Sequence, residues 1–141
     1  MSFKPVSLED YVAITNMMGA YQHMVDSGDE DGYADLFTAD GAFIGMPEEV
    51  GPPESFRGRE GLKLIPRLTF GAYGGKFRHH VGSFTVSYGD TKDAAVARYY
   101  VMAATCLEGK GPKIEQVVDV TTQLVKTGGG WKIKTNTMKS L

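Results

Sequence analysis

Two residue types in this chain are suited to moving a proton near neutral pH, and their placement decides what they can do. Asp26 directly follows Met24 and Val25, where an amphipathic run gives way to Gly28. Its carboxylate stands where a helix stops and a domain interior begins. His79 and His80 are consecutive in a run of period two, so in a strand they point to opposite faces and only one can enter an interior. Alternation groups His79 with Val81, Ser83 and Thr85, and His80 with Gly82, Phe84 and Val86. By apolar content the second set is slightly the better packed face. A carboxylate set against an imidazole fixes its tautomer and makes it a better base, which is equipment for taking an acidic proton. Tyr21 lies one helical turn before Val25, which suits a core position and a hydroxyl presented to a pocket equally.

Other candidates are weaker. His23 falls off the apolar stripe and is expected to face solvent. Asp29-Glu30-Asp31 reads as the solvated start of a second helix. Cys106 has no sequence neighbour to activate it and reads as buried apolar filler. No HxH or HExxH spacing supports a metal site, and adjacent strand histidines diverge. No GxGxxG or P-loop pattern opens a helix, and the glycine-rich GAYGG lacks the lysine-serine and helix that would follow. No metal or other cofactor is expected.

The totals narrow the setting. At 141 residues, 42% hydrophobic and 11% aromatic, the chain suits one globular domain spanning residues 1–141. A formal charge of -2 and a pI near 5.9 give no field for gripping nucleic acid or an anionic membrane. A single cysteine excludes an internal disulfide framework. The first residues, MSFKPVSLED, show no charged-then-apolar signal pattern, and no 18-residue apolar run occurs, so a cytoplasmic protein is expected.

The elements that must position these side chains are helices first and strands after. Ser7 and Asp10 precede an apolar stripe of Tyr11, Ile14, Met17, Met18, Tyr21 and Val25, which predicts a capped helix of about 18 residues. Gly28 ends it. A short second helix carries Tyr33, Leu36 and Phe37 up to Gly41, and GAFIGM reads as a strand. PEEVGPPESFRG, with three prolines and two glycines, is a loop placed to cover a cavity mouth. A third helix runs over Arg59–Leu68 with Pro66 near its end or kinking it, then GAYGGK connects. Strands Phe77–Tyr88, Ala94–Leu107, Lys113–Lys126 and Trp131–Met138 follow, separated by GDTKD, EGKGP and TGGG. The class is α+β, with strands long enough for a strongly curved sheet. Pairing across GDTKD sets Tyr99, Val101, Ala103 and Thr105 on the His79 face and turns Arg98 and Tyr100 away.

With these elements in place, the chain resembles the SnoaL-like branch of the nuclear transport factor 2-like superfamily. The matching segments are Tyr21–Phe43, FRGREG at Phe56–Gly61, RHHVGS at Arg78–Ser83 and GWKI at Gly130–Ile133. The resemblance implies a cone-shaped α+β barrel, a mostly antiparallel sheet wrapped around three N-terminal helices with a deep pocket between. It is nearest in pattern to scytalone dehydratase and hexachlorocyclohexane dehydrochlorinase, in which an aspartate ending the first helix pairs with a histidine opening a central strand. Asp26 and His79 stand at those places. The resemblance therefore selects His79 over His80 as the base, with Asp26 orienting it and Tyr21 as a hydroxyl donor. Tyr99, Val101, Thr105 and Phe43 are the expected pocket residues.

Three departures limit the carry-over. On Lys113–Lys126, Val120 and Thr122 stand where many relatives of the resembled family show tyrosine and aspartate. Scytalone dehydratase has a second pocket histidine on the next strand, and none stands on Ala94–Leu107. Ketosteroid isomerases need a carboxylate where this chain has Gly45. Epoxide hydrolysis needs an Asp-Arg-Asp set, for which only Arg98 and Asp119 offer themselves. The expected function is a cofactor-independent dehydratase-like lyase or isomerase acting on a small hydrophobic, aromatic or polycyclic molecule. The alternative is a non-catalytic ligand-binding or assembly module of the same fold, such as a dioxygenase small subunit. Phe84, Val86, Val96 and Met102 would need covering on one sheet face, which suggests a homodimer or homotrimer.

Overall fold

The computed structural model describes residues 4–141. Ser7 caps the first helix, α1 (Leu8–Ser27), by accepting the Asp10 N–H on its Oγ at 3.1 Å. Gly28, at φ 73°, closes the other end in the left-handed conformation that glycine adopts without strain. Ile14, Met18, Tyr21 and Val25 are buried as the stripe predicts, while Leu8 and Tyr11 lie exposed. Asp10 turns inward in their place.

Asp29 caps α2 (Glu30–Asp35) through the Gly32 N–H, and the chain enters β1 (Phe37–Ile44) at once. Phe37, expected on the second helix, is instead the first strand residue. It pairs with Ile133, whose N–H reaches the Leu36 carbonyl, so sheet pairing overrides the helical spacing. The proline-rich segment holds one 3-10 turn, Pro53–Phe56, which buries Phe56. The third helix, α3 (Gly58–Tyr73), runs past Leu68 and through Gly71. Tyr73 stacks on Phe77 at 4.1 Å, and Gly74 at φ 57° is the cap, so part of the expected connector is helix.

β2 (Phe77–Tyr88), β3 (Ala94–Leu107), β4 (Gly111–Thr127) and β5 (Gly130–Ser140) form an antiparallel meander, and β1 adds parallel to β5. The order β1-β5-β4-β3-β2 leaves β1 and β2 as edges, so the sheet curls over the helices without closing. Helices and curled sheet together make the expected α+β fold.

Bulges on β2, β4 and β5 decide which residues face in, the one at Lys134 on β5 turning Asn136 to the same side as Trp131 and Ile133. Between Gly82 and Thr85, two β2 residues oppose the single Tyr99, and Ser83 at φ 52° takes up the extra length. Alternation reverses there. His79 and Val81 face inward before Ser83, and Phe84 and Val86 face inward after it, packed on the core. Each set therefore contributes its inward half. The expectation that Phe84 and Val86 lie on an uncovered outer face is corrected; Tyr100, Met102 and Val117 are the large exposed side chains there. The β4 bulge, at Glu115, sits opposite the junction of Ala103 and Ala104.

At the start of α1, Asp10 ties the helix to the far end of the sheet. Its Oδ1 accepts from Trp131 Nε1 and Lys126 Nζ, both at 3.0 Å, and its Oδ2 accepts the Tyr88 hydroxyl. The Tyr88 hydroxyl, then the indole and the ammonium, hold the Asp10 carboxyl well below the usual carboxylate range despite its burial.

Candidate functional site

The fold brings Asp26 and His79 together from positions 53 residues apart. The Asp26 carboxylate accepts twice from the one residue: Oδ1 from the ring Nδ1 at 2.6 Å, Oδ2 from the His79 backbone N–H at 3.1 Å. This double hold fixes both the position of β2 against α1 and the rotation of the imidazole. With Nδ1–H committed to the carboxylate, Nε2 carries the ring's free lone pair. Phe77 meets the ring edge-on at 4.9 Å. The two side chains keep only 14% (His79) and 10% (Asp26) of their surface exposed.

His79 faces a cavity of about 370 Å³ between α1, α3 and the inner sheet face. Tyr21 and Val25 enter it from α1, Thr69 and Tyr73 from α3, and Phe43, Tyr99 and Val101 from the sheet. Met46, Pro47 and Val50 bring the proline-rich loop to its mouth. On the other side of His79, between α1 and the β2 edge, lies a polar cleft of about 430 Å³ lined by His23, Asp26, Arg78 and His80. His79 and Gln22 border both spaces.

The cavity also contains a hydrogen-bonded set of buried hydroxyls. Asn136 donates from Nδ2 to the Tyr21 oxygen at 3.2 Å, and its Oδ1 accepts from Thr122 at 2.6 Å. Tyr99 lies within hydrogen-bonding distance of Thr122 at 2.9 Å and of Asn136 at 3.2 Å. Tyr33 has one partner, the Tyr21 hydroxyl at 2.8 Å. Proton accounting then fixes the direction. A buried Tyr33 hydroxyl with a single neighbour is satisfied as donor only if it gives its proton to Tyr21. The Tyr21 oxygen therefore accepts twice, and its own proton is left for the cavity. Burial, and next the neighbouring Tyr33, push the Tyr21 hydroxyl up, and burial does the same for Tyr33 and Tyr99. All three stay protonated and act as donors.

Of the residues expected in the site, Asp26, His79, Tyr21, Tyr99, Val101 and Phe43 converge on this region. Thr105 does not. It faces inward beyond the cavity, paired with Phe77, and gives its hydroxyl to Glu115 Oε1 at 3.0 Å. His80 points to the other sheet face, and Cys106, expected buried, is exposed. Arg98 and Asp119 lie 3.6 Å apart on the outer face, so the set needed for epoxide hydrolysis does not form in the cavity. Gly45 sits at φ 104° with its α-carbon against the Met138 carbonyl, where any side chain would collide. Asn136, Tyr33 and Gln22 were not singled out from sequence, and Thr122 was noted only as a departure from the resembled family. Asn136 carried no cue, because strict alternation from the inward Trp131 and Ile133 turns it outward and only the bulge at Lys134 brings it in. Among the described residues no three His, Cys, Asp or Glu side chains cluster as a metal site would require, and no helix is long and apolar enough to cross a membrane.

A curled α+β sheet over three helices, enclosing a mostly apolar cavity, defines the nuclear transport factor 2-like class. Within it, residues 6–137 match the SnoaL-like domain, and the chain belongs to that family. No curated protein matches it. The fold is shared with Aln2 from a Streptomyces species at 22% identity and a TM-score of 0.82, covering 97% of this chain and 93% of that one. ActVI-ORFA from Streptomyces coelicolor is 23% identical with a TM-score of 0.76, covering 92% and 96%. A candidate scytalone dehydratase from Novosphingobium aromaticivorans is 22% identical with a TM-score of 0.75, covering 95% and 85%. At these identities the likeness speaks for the fold alone.

Proposed function

We propose that this protein is a cofactor-independent lyase or isomerase acting on a small, largely apolar ring compound that carries a carbonyl group. The observation that carries the reading is the 2.6 Å Asp26–His79 contact at the wall of an apolar cavity, with Nε2 as the imidazole's unpartnered nitrogen. His79 Nε2 takes a proton from the carbon next to the carbonyl. The C–H electrons pass into the ring and onto the carbonyl oxygen, which the Tyr21 hydroxyl holds, and Asp26 balances the imidazolium. In a dehydration, the enolate expels a β-hydroxyl that collects the proton from Nε2 and leaves as water. In an isomerisation, the same proton returns to a different carbon.

The magnitudes set the scope. General base action is worth about 10²–10⁴-fold, and a positioned donor at the oxyanion about a further 10². That total suits a proton already acidified by a carbonyl. It does not suit an unactivated C–H bond.

The test is a screen of cyclic β-hydroxyketones and β,γ-unsaturated ketones, following the absorbance of the conjugated product. His79→Ala is expected to abolish turnover while changing stability by no more than about 1–2 kcal/mol. Full activity in that variant rules the reading out. The nitrogen chemical shifts of the His79 ring give a second readout, expected to report a changed tautomer when Asp26 becomes Asn. A protein that keeps its ligand and its role after losing both side chains would be a binding module instead.

A further inference from the structure

Asp10, Gln22, Thr105, Thr122 and Asn136 are the buried polar residues among those described. Four of them have side-chain hydrogen bonds: Asp10 with Trp131, Thr105 with Glu115, and Thr122 with Asn136. Gln22, only 7% exposed, has none. Yet no fully sealed side-chain nitrogen or oxygen among the described residues lacks a partner. The Gln22 amide must therefore open onto a hollow, and Gln22 does border both the cavity and the polar cleft. Its helix position explains this. Tyr21 and Val25 form the row of α1 that looks into the cavity, and Gln22 and Asp26 form the next row, one turn apart. The amide stands beside the Asp26–His79 pair.

A ligand that fills the cavity displaces the water this amide can reach. It must replace those hydrogen bonds or bind about tenfold or more weakly, because a buried amide left unpaired is costly. Leu or Met would fill the same helical position without that cost.

We propose that Gln22 is a ligand-recognition residue, hydrogen-bonding a second polar group on the ring compound, separate from the oxygen held at Tyr21. The ligand class is thereby narrowed to rings oxygenated at two positions, one toward Tyr21 and Asn136 and one beside His79. The inference rests on the cavity being the ring-ligand site of the proposed function. It does not require His79 to act as a base.

Calorimetric titration with unreactive probes separates these claims. Naphthol and the isomeric dihydroxynaphthalenes are titrated into the wild-type protein, Gln22→Met and Tyr21→Phe. The best-placed dihydroxy isomer is expected to bind wild type about tenfold more tightly than naphthol. In Gln22→Met that advantage should fall to within about twofold while naphthol affinity stays within about threefold. In Tyr21→Phe the naphthol affinity should fall instead. Gln22→Leu serves as a second apolar replacement, and NMR contacts from the Gln22 amide protons to bound dihydroxynaphthalene give a readout that needs no variant. A dihydroxy advantage that is absent in wild type, or that survives both apolar replacements, overturns the proposal. So does an equal weakening of both probes. If neither probe binds wild type, the inference falls together with the reading beneath it. If naphthol binds normally and only the Gln22 dependence is missing, the inference falls alone.

Discussion

Asp10 and Asp26 sit near opposite ends of α1, and each accepts hydrogen bonds from strand residues far away in sequence. Asp10 is held by three side chains from three places, Tyr88, Lys126 and Trp131, and borders neither the cavity nor the cleft. Asp26 is held by one residue, gives both oxygens to it, and lies on the floor of the polar cleft. A carboxylate shared among side chains from three different strands works as a clamp. One that spends its lone pairs aiming a single imidazole leaves that ring a free nitrogen at a cavity wall. The local chemistry is the same in both. The difference lies in whether the partner still has an unused proton-accepting site.

Mutations at the two ends should separate these roles. The largest effect is expected from Asp10→Ala, which leaves the Trp131 N–H and the Tyr88 hydroxyl without their acceptor. It should destabilise by about 3–5 kcal/mol in chemical denaturation while leaving the activity of the folded fraction within about twofold. Asp26→Asn comes next. The amide can present an N–H to the ring and so favour the wrong tautomer, and the expected loss is about 10²-fold in kcat/KM, equivalent to about 2.7 kcal/mol, with a nearly unchanged melting temperature. Tyr21→Phe, which removes the oxyanion donor and leaves Tyr33 without its partner, should likewise cost about 10²-fold, in kcat. The smallest effect is Trp131→Phe, about 1 kcal/mol of stability from one lost hydrogen bond. If Asp10→Ala silences the chemistry or Asp26→Asn unfolds the protein, the division between the ends collapses.

The two ends also differ in their response to acid. The folded Asp10 carboxyl lies well below its unfolded value, so the stability it contributes is fully present above about pH 4. It is lost as the pH falls toward the lowered value. Unfolding free energy measured between pH 5 and about pH 2 should decline in the wild type and decline less in Asp10→Asn. An identical slope in both would remove the clamp from the account.

Long alternating runs made much of the fold legible. β2 and β3 begin and end where their patterns do, because glycine- and aspartate-rich turns bound them. The Gly28 stop placed Asp26, and the resemblance supplied its partner. What escaped depends on contacts that no local pattern carries. Asp10 read as a first-turn acid because its partners Tyr88, Lys126 and Trp131 all lie 78 or more residues further along the chain. Thr105 lies on the expected face but past the end of the cavity, where Glu115 claims its hydroxyl at the β4 bulge. Gly71 looked like a helix breaker, but the Tyr73–Phe77 stack outweighs its preference. Gln22 resembled any helical polar residue until its surroundings were known.

The bulge at Ser83 has a consequence for how this protein can change. By reversing which side is inward, it divides β2 into a histidine half that meets the cavity and an aromatic-aliphatic half that fills the core. Because the halves belong to different surroundings, substitutions near His79 can alter what the cavity accepts without repacking Phe84 and Val86. Losing the single residue Ser83 would restore strict alternation and force one half to the outside. This one inserted residue lets ligand preference and core packing vary independently along a single strand.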